Sequence, residues 1–340
     1  MPTIVNINEI KNSKVLLRAD FDVPIIKNII QSTYRIDRCL ETIKLLIQNN
    51  NKVILFTKVG RPEGFDENLS TKHFINYLNN KLNLSVEFEN NVDKISHCFL
   101  KSNFTIFENT RFYPWEDTPD DEFSRRMANF FDYYVDEAFA VSHRKETSNY
   151  YIPSKINNLA LGINYQKEIS FLDRIKNKDF ENPAIFILGG AKAETKIPMI
   201  NKIKNNFNYI IVGGKLIDEP NLIELKQNVK NLILLTNEKH GFDINNKSID
   251  VIINAIKLAK TIVWNGPLGK FEEDIYKNST VQVLNAFKNK QNGLKISGGG
   301  DTISAIEKYG DFNDFSFVST GGGAMFSYLT GEKTNIENLI

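Results

Sequence analysis

The chain has 340 residues, 41% hydrophobic and 24% charged, with a formal net charge of +1. So even a balance excludes a bulk electrostatic pull toward nucleic acid or an anionic membrane surface, and no apolar run approaches the ~20 residues that span a bilayer. The length accommodates two domains with proper cores. In chain order, KVLLRADF (14–21) reads as a strand, and residues 34–49 as an amphipathic helix with Ile36, Leu40, Ile43 and Ile47 on one face. NKVILFTKVG (51–60) reads as a second strand ending in a Gly-Arg-Pro turn, followed by a helix near 71–82 and strands at 104–108 and 133–135. Residues 164–178 read as one long helix, which sets the expected boundaries: 1–163 for a first domain and 164–327 for a second.

Glycine is unevenly spread along this order. Twelve of the 19 glycines fall in five clusters between residues 189 and 323, each after a short apolar run: Gly189-Gly190, Gly213-Gly214, Gly266 with Gly269, Gly298-Gly299-Gly300 and Gly321-Gly322-Gly323. A β-branched run ending in glycine reads as a buried parallel strand entering a tight turn. Several such turns on one sheet edge, each opening a helix, make a rim for phosphate. A single Gly pair is ordinarily a loop or a helix cap, and it is the repetition that argues for a site. The repeated strand–turn–helix pattern gives an α/β class with doubly wound parallel sheets.

Common nucleotide motifs are absent: there is no G-x4-GK-[ST] and no G-x-G-x-x-G, and the four histidines have no metal-ligand spacing. The basic residues of the first half sit at strand ends. Lys58 and Arg61 flank the Gly60 turn, Arg111 follows IFEN, Arg144 follows VDEAFAVSH, Arg35 opens a helix, and Arg18 lies within a strand. Singly each reads as a solvated or salt-bridged residue. Together they suit a small polyanion, because the guanidinium fork matches carboxylate and phosphate. Lys192 and Lys196, four apart at a helix start, are unfavourable unless an anion lies between them. Asp301, after a glycine nest, reads either as a Mg²⁺ ligand or as a helix cap. One half thus reads as an acid site and the other as a nucleotide-phosphate site, which together imply phosphoryl transfer.

Taken in order, VLLRADFDVP (15–24), STYRID (32–37), KVGRPEG (58–64), FENTRFYPWE (107–116), VDEAFAVSHR (135–144), LGGAKAETKI (188–197), IVWNGPLGKFEE (262–273), SGGGDT (297–302) and VSTGGGAMFSYLTGE (318–332) resemble the phosphoglycerate kinase family through nearly the whole chain. The resemblance implies two doubly wound domains joined by a helix and hinge, with a tail of about 328–340 packing back on the first. It implies an acid held by Asp20, Asp22, Arg35, Lys58, Arg61, Arg111 and Arg144. It implies ATP or ADP with Mg²⁺ held by Gly190, Lys192, Lys196, Gly213, Gly214, Asn265, Glu272, Gly299, Gly300, Asp301 and Thr302, with Asp301 on the metal. Arg35, Lys192, Gly300 and Gly323 would meet the transferring group. The expected partners are a nucleotide and a phosphorylated or hydroxylated acid, without nucleic acid or membrane. The N-terminus lacks a signal-peptide run, and Cys39 and Cys98 read as free thiols, so a cytoplasmic monomer is expected.

Four departures from the family pattern stand out. Asp22 replaces asparagine and Lys58 replaces histidine, and the two are expected to offset each other by pairing. Asp136-Glu137 replaces Asn-Asp, with Ala140 in place of glycine. The stretch from Gly213 to Trp264 is short, so a trimmed base-binding wall is expected. The first three leave open a paralogue acting on a different small acid. A non-catalytic binding protein on the same fold is the remaining alternative, against which Lys192, Lys196, Asp301 and the glycine nests count.

Overall fold

A computed structural model describes residues 2–340 apart from Lys192 and Lys239, with Thr195 described by its backbone alone. Lys192, expected at the nucleotide phosphates, therefore lies outside the described residues. The chain divides into two compact units, Met1–Ile169 with Lys333–Ile340, and Ser170–Glu332.

The first unit contains β1 (Thr3–Ile4), β2 (Lys14–Ala19), a short hairpin of β3 (Ile25–Ile26) and β4 (Ile29–Ile30), α1 (Tyr34–Gln48), β5 (Lys52–Phe56), α2 (Ile75–Leu82), β6 (Glu87–Glu89), α3 (Ile95–Lys101), β7 (Phe104–Phe107), α4 (Asp121–Ala128), β8 (Tyr133–Glu137), β9 (Asn158–Leu161) and the start of α5 (Ile163–Lys176). Its parallel sheet has the order β1-β9-β8-β2-β5-β7-β6. Strand alternation splits the core in two. Val15, Leu17, Val53 and Leu55 pack with Ile36, Leu40 and Ile43 of α1 and Leu78 of α2. Leu16, Ile54 and Phe56 face the other way, toward Phe99 of α3 and Met127 of α4. Helices on both faces leave the strand ends as the place for chemistry.

The second unit alternates strictly: β10 (Ala184–Leu188), α6 (Ala193–Ile203), β11 (Tyr209–Val212), α7 (Pro220–Asn228), β12 (Leu232–Leu234), α8 (Asn246–Leu258), β13 (Thr261–Asn265), α9 (Asn278–Asn289), β14 (Leu294–Gly298), α10 (Gly300–Tyr309), β15 (Phe317–Ser319) and α11 (Gly322–Leu329). The parallel sheet order is β12-β11-β10-β13-β14-β15. The last helix, α12 (Asn335–Leu339), belongs to the first unit.

The division falls within α5 rather than before it, and the returning segment starts at Lys333 rather than near 328. Hydrogen bonds explain both shifts. The first turn of α5 is held by the first unit, where the amides of Asn164 and Tyr165 donate to the Glu137 carboxylate at 3.0 and 2.9 Å. Tyr328 donates to Asp173 at 2.6 Å, which keeps the end of α11 with the second unit. Among the described residues, no helix is long and apolar enough to cross a membrane.

Candidate active site

In the first unit, β8, β2, β5 and β7 are neighbours, and their C-terminal ends deliver the expected acid-binding residues. Backbone and side-chain bonds lock these ends together. Thr57 Oγ1 accepts from Phe21 N at 3.0 Å, Thr57 O accepts from Thr110 N at 3.1 Å, and Asn109 Nδ2 donates to Val59 O at 2.8 Å. On this frame Arg35, at the start of α1, places Nη1 3.0 and 3.2 Å from the two oxygens of Asp20. Burial works against the Arg35 cation, but Asp20 and then Asp22 outweigh it and raise its pKa further. Arg111 donates to the carbonyl of Gly60, tying its turn to the loop that carries Arg61. Arg61 and Arg144 are exposed on their loops.

Two residues behave differently from expectation. Lys58 is 3% exposed and is ion-paired with Glu116 at 3.2 Å and with Glu146. The expected offset between Lys58 and Asp22 is not what forms. Asp22 instead accepts the Gly60 amide at 2.9 Å. Sequence reasoning missed Glu116 and Glu146 because both are remote from Lys58 along the chain. Arg18, fully buried, donates to Ser148 at 3.0 Å, and Ser148 donates on to Glu116 at 2.7 Å. Burial pushes Glu146 up, but Lys58 more than offsets this and holds its carboxyl below the usual range.

Asp136 and Glu137, at the end of β8, are buried, and burial raises both to about 7. Their partners differ. Glu137 accepts from Thr42 at 2.7 Å and from the first amides of α5, whereas Asp136 Oδ1 accepts from Ala138 N at 2.9 Å and its Oδ2 is buried without a hydrogen-bond partner. Asp136-Glu137 is thus a structural pair beneath the site.

In the second unit the glycine clusters share one register. Val212, Leu188, Asn265, Gly298 and Ser319 form a single cross-strand row, and the turns begin just beyond it. Close approach makes glycine necessary at the centre of the rim. A Cβ on Gly189 would lie 2.2 Å from the carbonyl oxygen of Pro267. Gly299 has φ +100° and sits against Gly322, directly before α10.

Beside this rim lies a cavity of about 620 Å³, lined by Gly190, Ala191, Gly214, Lys215, Asp218, His240, Gly241, Phe242, Pro267, Leu268, Gly269, Lys270, Glu272 and Asp301. Gly190, Gly214, Glu272 and Asp301 are thus brought together as expected. Gly300 and Gly323 are exposed in the first turns of α10 and α11, where free amides and the positive helix ends favour an anion. Other expected contacts serve the rim from below. Lys196, 6% exposed, donates to Gly189 O. Asn265 donates to Gly298 O at 2.7 Å. Thr302 accepts from Gly266 N at 2.8 Å while donating to Gly298 O at 3.0 Å. Gly213 packs against Leu268 and Leu235.

Part of the cavity wall comes from a short reversing segment that sequence reading did not resolve. Asn237 and Ile244 form an antiparallel bridge, which turns His240, Gly241 and Phe242 into the cavity wall. Asp243 clamps this segment to the first turn of α9 by accepting from Ser279 N at 3.2 Å and from Ser279 Oγ. Mg²⁺ fits this site: it binds through one or two carboxylates plus substrate phosphates, and Asp301 is an exposed carboxylate on the cavity edge.

Comparisons with known proteins agree with this geometry. A family model described as phosphoglycerate kinase matches residues 4–224 and 218–332. The phosphoglycerate kinase of Finegoldia magna is 33% identical over 97% of this chain and 96% of its own. The crystal structure of phosphoglycerate kinase from Pyrococcus horikoshii superposes with a TM-score of 0.83 at 25% identity, and the structure from Coxiella burnetii with 0.78 at 26%. Each covers 97% of this chain and 96% of the other. Strand-end arginines in one unit and a glycine-turn cavity in the other, matched along nearly the full length of the chain, show that it belongs to the phosphoglycerate kinase family.

Proposed function

We propose that this chain transfers a phosphoryl group reversibly between ATP and the carboxylate of 3-phosphoglycerate, forming 1,3-bisphosphoglycerate and ADP. The observation that carries the reading is the presence of two unlike anion sites in one family member. Arginines gather at the strand ends of the first unit, and glycine turns border a cavity with Asp301 in the second.

In this reading Arg61, Arg111 and Arg144 hold the acid, with Asp20 orienting Arg35 toward the group being transferred. The acceptor carboxylate, which ordinarily titrates at roughly pH 4, is already ionised at neutral pH, so no general base is needed. Catalysis is then positioning plus stabilisation of charge on the phosphoryl oxygens. Backbone amides at Gly300 and Gly323 receive phosphate oxygens at their helix starts, Lys192 contacts the transferring group, and Glu272 meets the ribose. Lys196, Asn265 and Thr302 act by fixing the rim. Asp301 would hold Mg²⁺, which neutralises phosphate charge when bound. Because the acid and the nucleotide must come into contact, closure of the two units is a step of the proposed cycle. A cytoplasmic monomer is the proposed setting, and the free, buried Cys39 and Cys98 suit a reducing compartment.

The paralogue reading loses its main motive, because the charge of Lys58 is spent on Glu116 and Glu146 rather than in the acid pocket. The test is a coupled assay with ATP, Mg²⁺ and 3-phosphoglycerate, followed by a panel of related acids. Turnover highest on 3-phosphoglycerate is expected. ATP binding without turnover on that acid would defeat the proposal.

A further inference from the structure

The loop that carries Arg144 has little regular structure of its own. It leaves a short turn at Phe139–Val141 and re-enters a helical turn at Thr147. Two carbonyls bracket His143-Arg144, and a single residue takes both. The amide N–H of Asn335 donates to Ser142 O at 2.7 Å, and its side-chain Nδ2 donates to Arg144 O, with Asn149 O also within 3.5 Å.

Asn335 is itself firmly placed. It is 2% exposed and opens α12, in which Thr334 and Glu337 form a reciprocal cap. The next residue, Ile336, is 1% exposed and packs into the cluster of Met127, Phe131 and Ile152. A buried amide spends its donors on neighbours that would otherwise be unsatisfied. Here those neighbours are the carbonyls on either side of one exposed arginine.

We propose that Asn335 is a positioning residue for Arg144, fixing the backbone from which that guanidinium reaches the acid substrate. This rests on the reading of Arg144 as an acid contact. A purely structural anchor would change stability only, whereas a positioning residue changes the apparent affinity for the acid and leaves the nucleotide untouched. Losing one hydrogen bond of this kind is worth about 3- to 10-fold.

The experiment compares steady-state kinetics of the whole enzyme with Asn335→Ser, Asn335→Asp, Arg144→Ala and the Arg144→Ala/Asn335→Ser pair. Ile336→Ala serves as a variant that loosens the same helix without touching the amide, and thermal melts verify folding. Asn335→Ser keeps the backbone bond to Ser142, so the unit should fold. The expected result is a rise of about 3- to 10-fold in KM for 3-phosphoglycerate with KM for ATP unchanged. The rise should be larger for Asn335→Asp, absent for Ile336→Ala, and nearly lost in the Arg144→Ala background. A KM for the acid that stays within about twofold in both Asn335 variants overturns the proposal. So does an equal rise in the Arg144→Ala background. If Arg144→Ala alone leaves the acid KM unchanged, the reading of Arg144 falls first and the role of Asn335 falls with it.

Discussion

Lys58 and Glu146 form an ion pair that joins the segment leaving β5 to the loop that carries Arg144. Lys58 also faces Glu116, which is fully buried, so removing the ammonium takes the counter-charge from one buried and one partly buried carboxylate. Lys58→Ala is expected to cost about 3 kcal/mol of stability, the usual scale for breaking a buried pair. A double-mutant cycle should place the coupling on Lys58–Glu146 at about 1 kcal/mol or more, and leave Lys58–Asp22 within about 0.5 kcal/mol of additivity. Denaturant titration of the four variants in each cycle checks this. Strong coupling between positions 22 and 58 would restore the compensated swap read from the sequence.

Asp136 gives a pH prediction with a definite sign. Its folded pKa is raised to about 7 by burial, whereas an unfolded aspartate titrates near its ordinary value of 3.8. Between these two values the folded chain binds more protons than the unfolded one. Ionisation of Asp136 therefore lowers stability as pH rises, and the loss is complete above about 7. Asp136→Asn removes this titration and can still accept from Ala138 N. The variant should gain roughly 2 kcal/mol relative to the parent on going from about pH 5 to about pH 8. Parallel urea curves at the two pH values test it, and a gain that shrinks with pH would reverse the assignment.

The cavity wall makes a prediction about the base. In the proposed nucleotide site Gly241, Phe242, Pro267 and Leu268 give a largely apolar wall, with Lys215, Asp218 and His240 as its polar neighbours. A site of that kind discriminates weakly. GTP should therefore support turnover with kcat/KM within about tenfold of ATP, and CTP should be poorer because it presents a smaller ring. Phe242→Ala should raise KM for ATP by about 2- to 10-fold, the scale of an aromatic contact. An exclusive preference for ATP would mean that polar groups of the wall read the base edge.

Lys192→Ala should reduce kcat by about 10²- to 10³-fold, as expected for loss of one donor to the transition state, with the thermal midpoint nearly unchanged. Single-turnover measurement on the acid substrate checks the chemical step directly. Full activity in this variant would remove Lys192 from the proposed machinery.

The parts of the fold that were legible from sequence are those whose local pattern and tertiary role coincide. AIFIL, YIIV and TIVWN are apolar runs ending at the rim, and each forms a strand on the shared register row. The edge strands β1, β6 and β12 have two or three residues and no usable periodicity; they exist because a neighbouring strand offers hydrogen bonds. The second sheet accordingly has a sixth strand where five glycine clusters announce five. Arg35 opens α1, Arg111 follows β7 and Asp301 lies in the first turn of α10, the positions along the fold that their motifs suggested. Lys196 and Thr302 also sit at the rim, but facing inward, because glycine turns need something beneath them to bond. Asn335 could not be read at all, since its partners lie nearly two hundred residues earlier in the chain.

Ile336 is buried among side chains of the first unit, although it follows the whole of the second unit along the chain. On a ribosome, the first unit therefore emerges before one of its own core side chains has been made. Vectorial synthesis thus leaves the earliest-made part of the enzyme to be completed after its later-made neighbour.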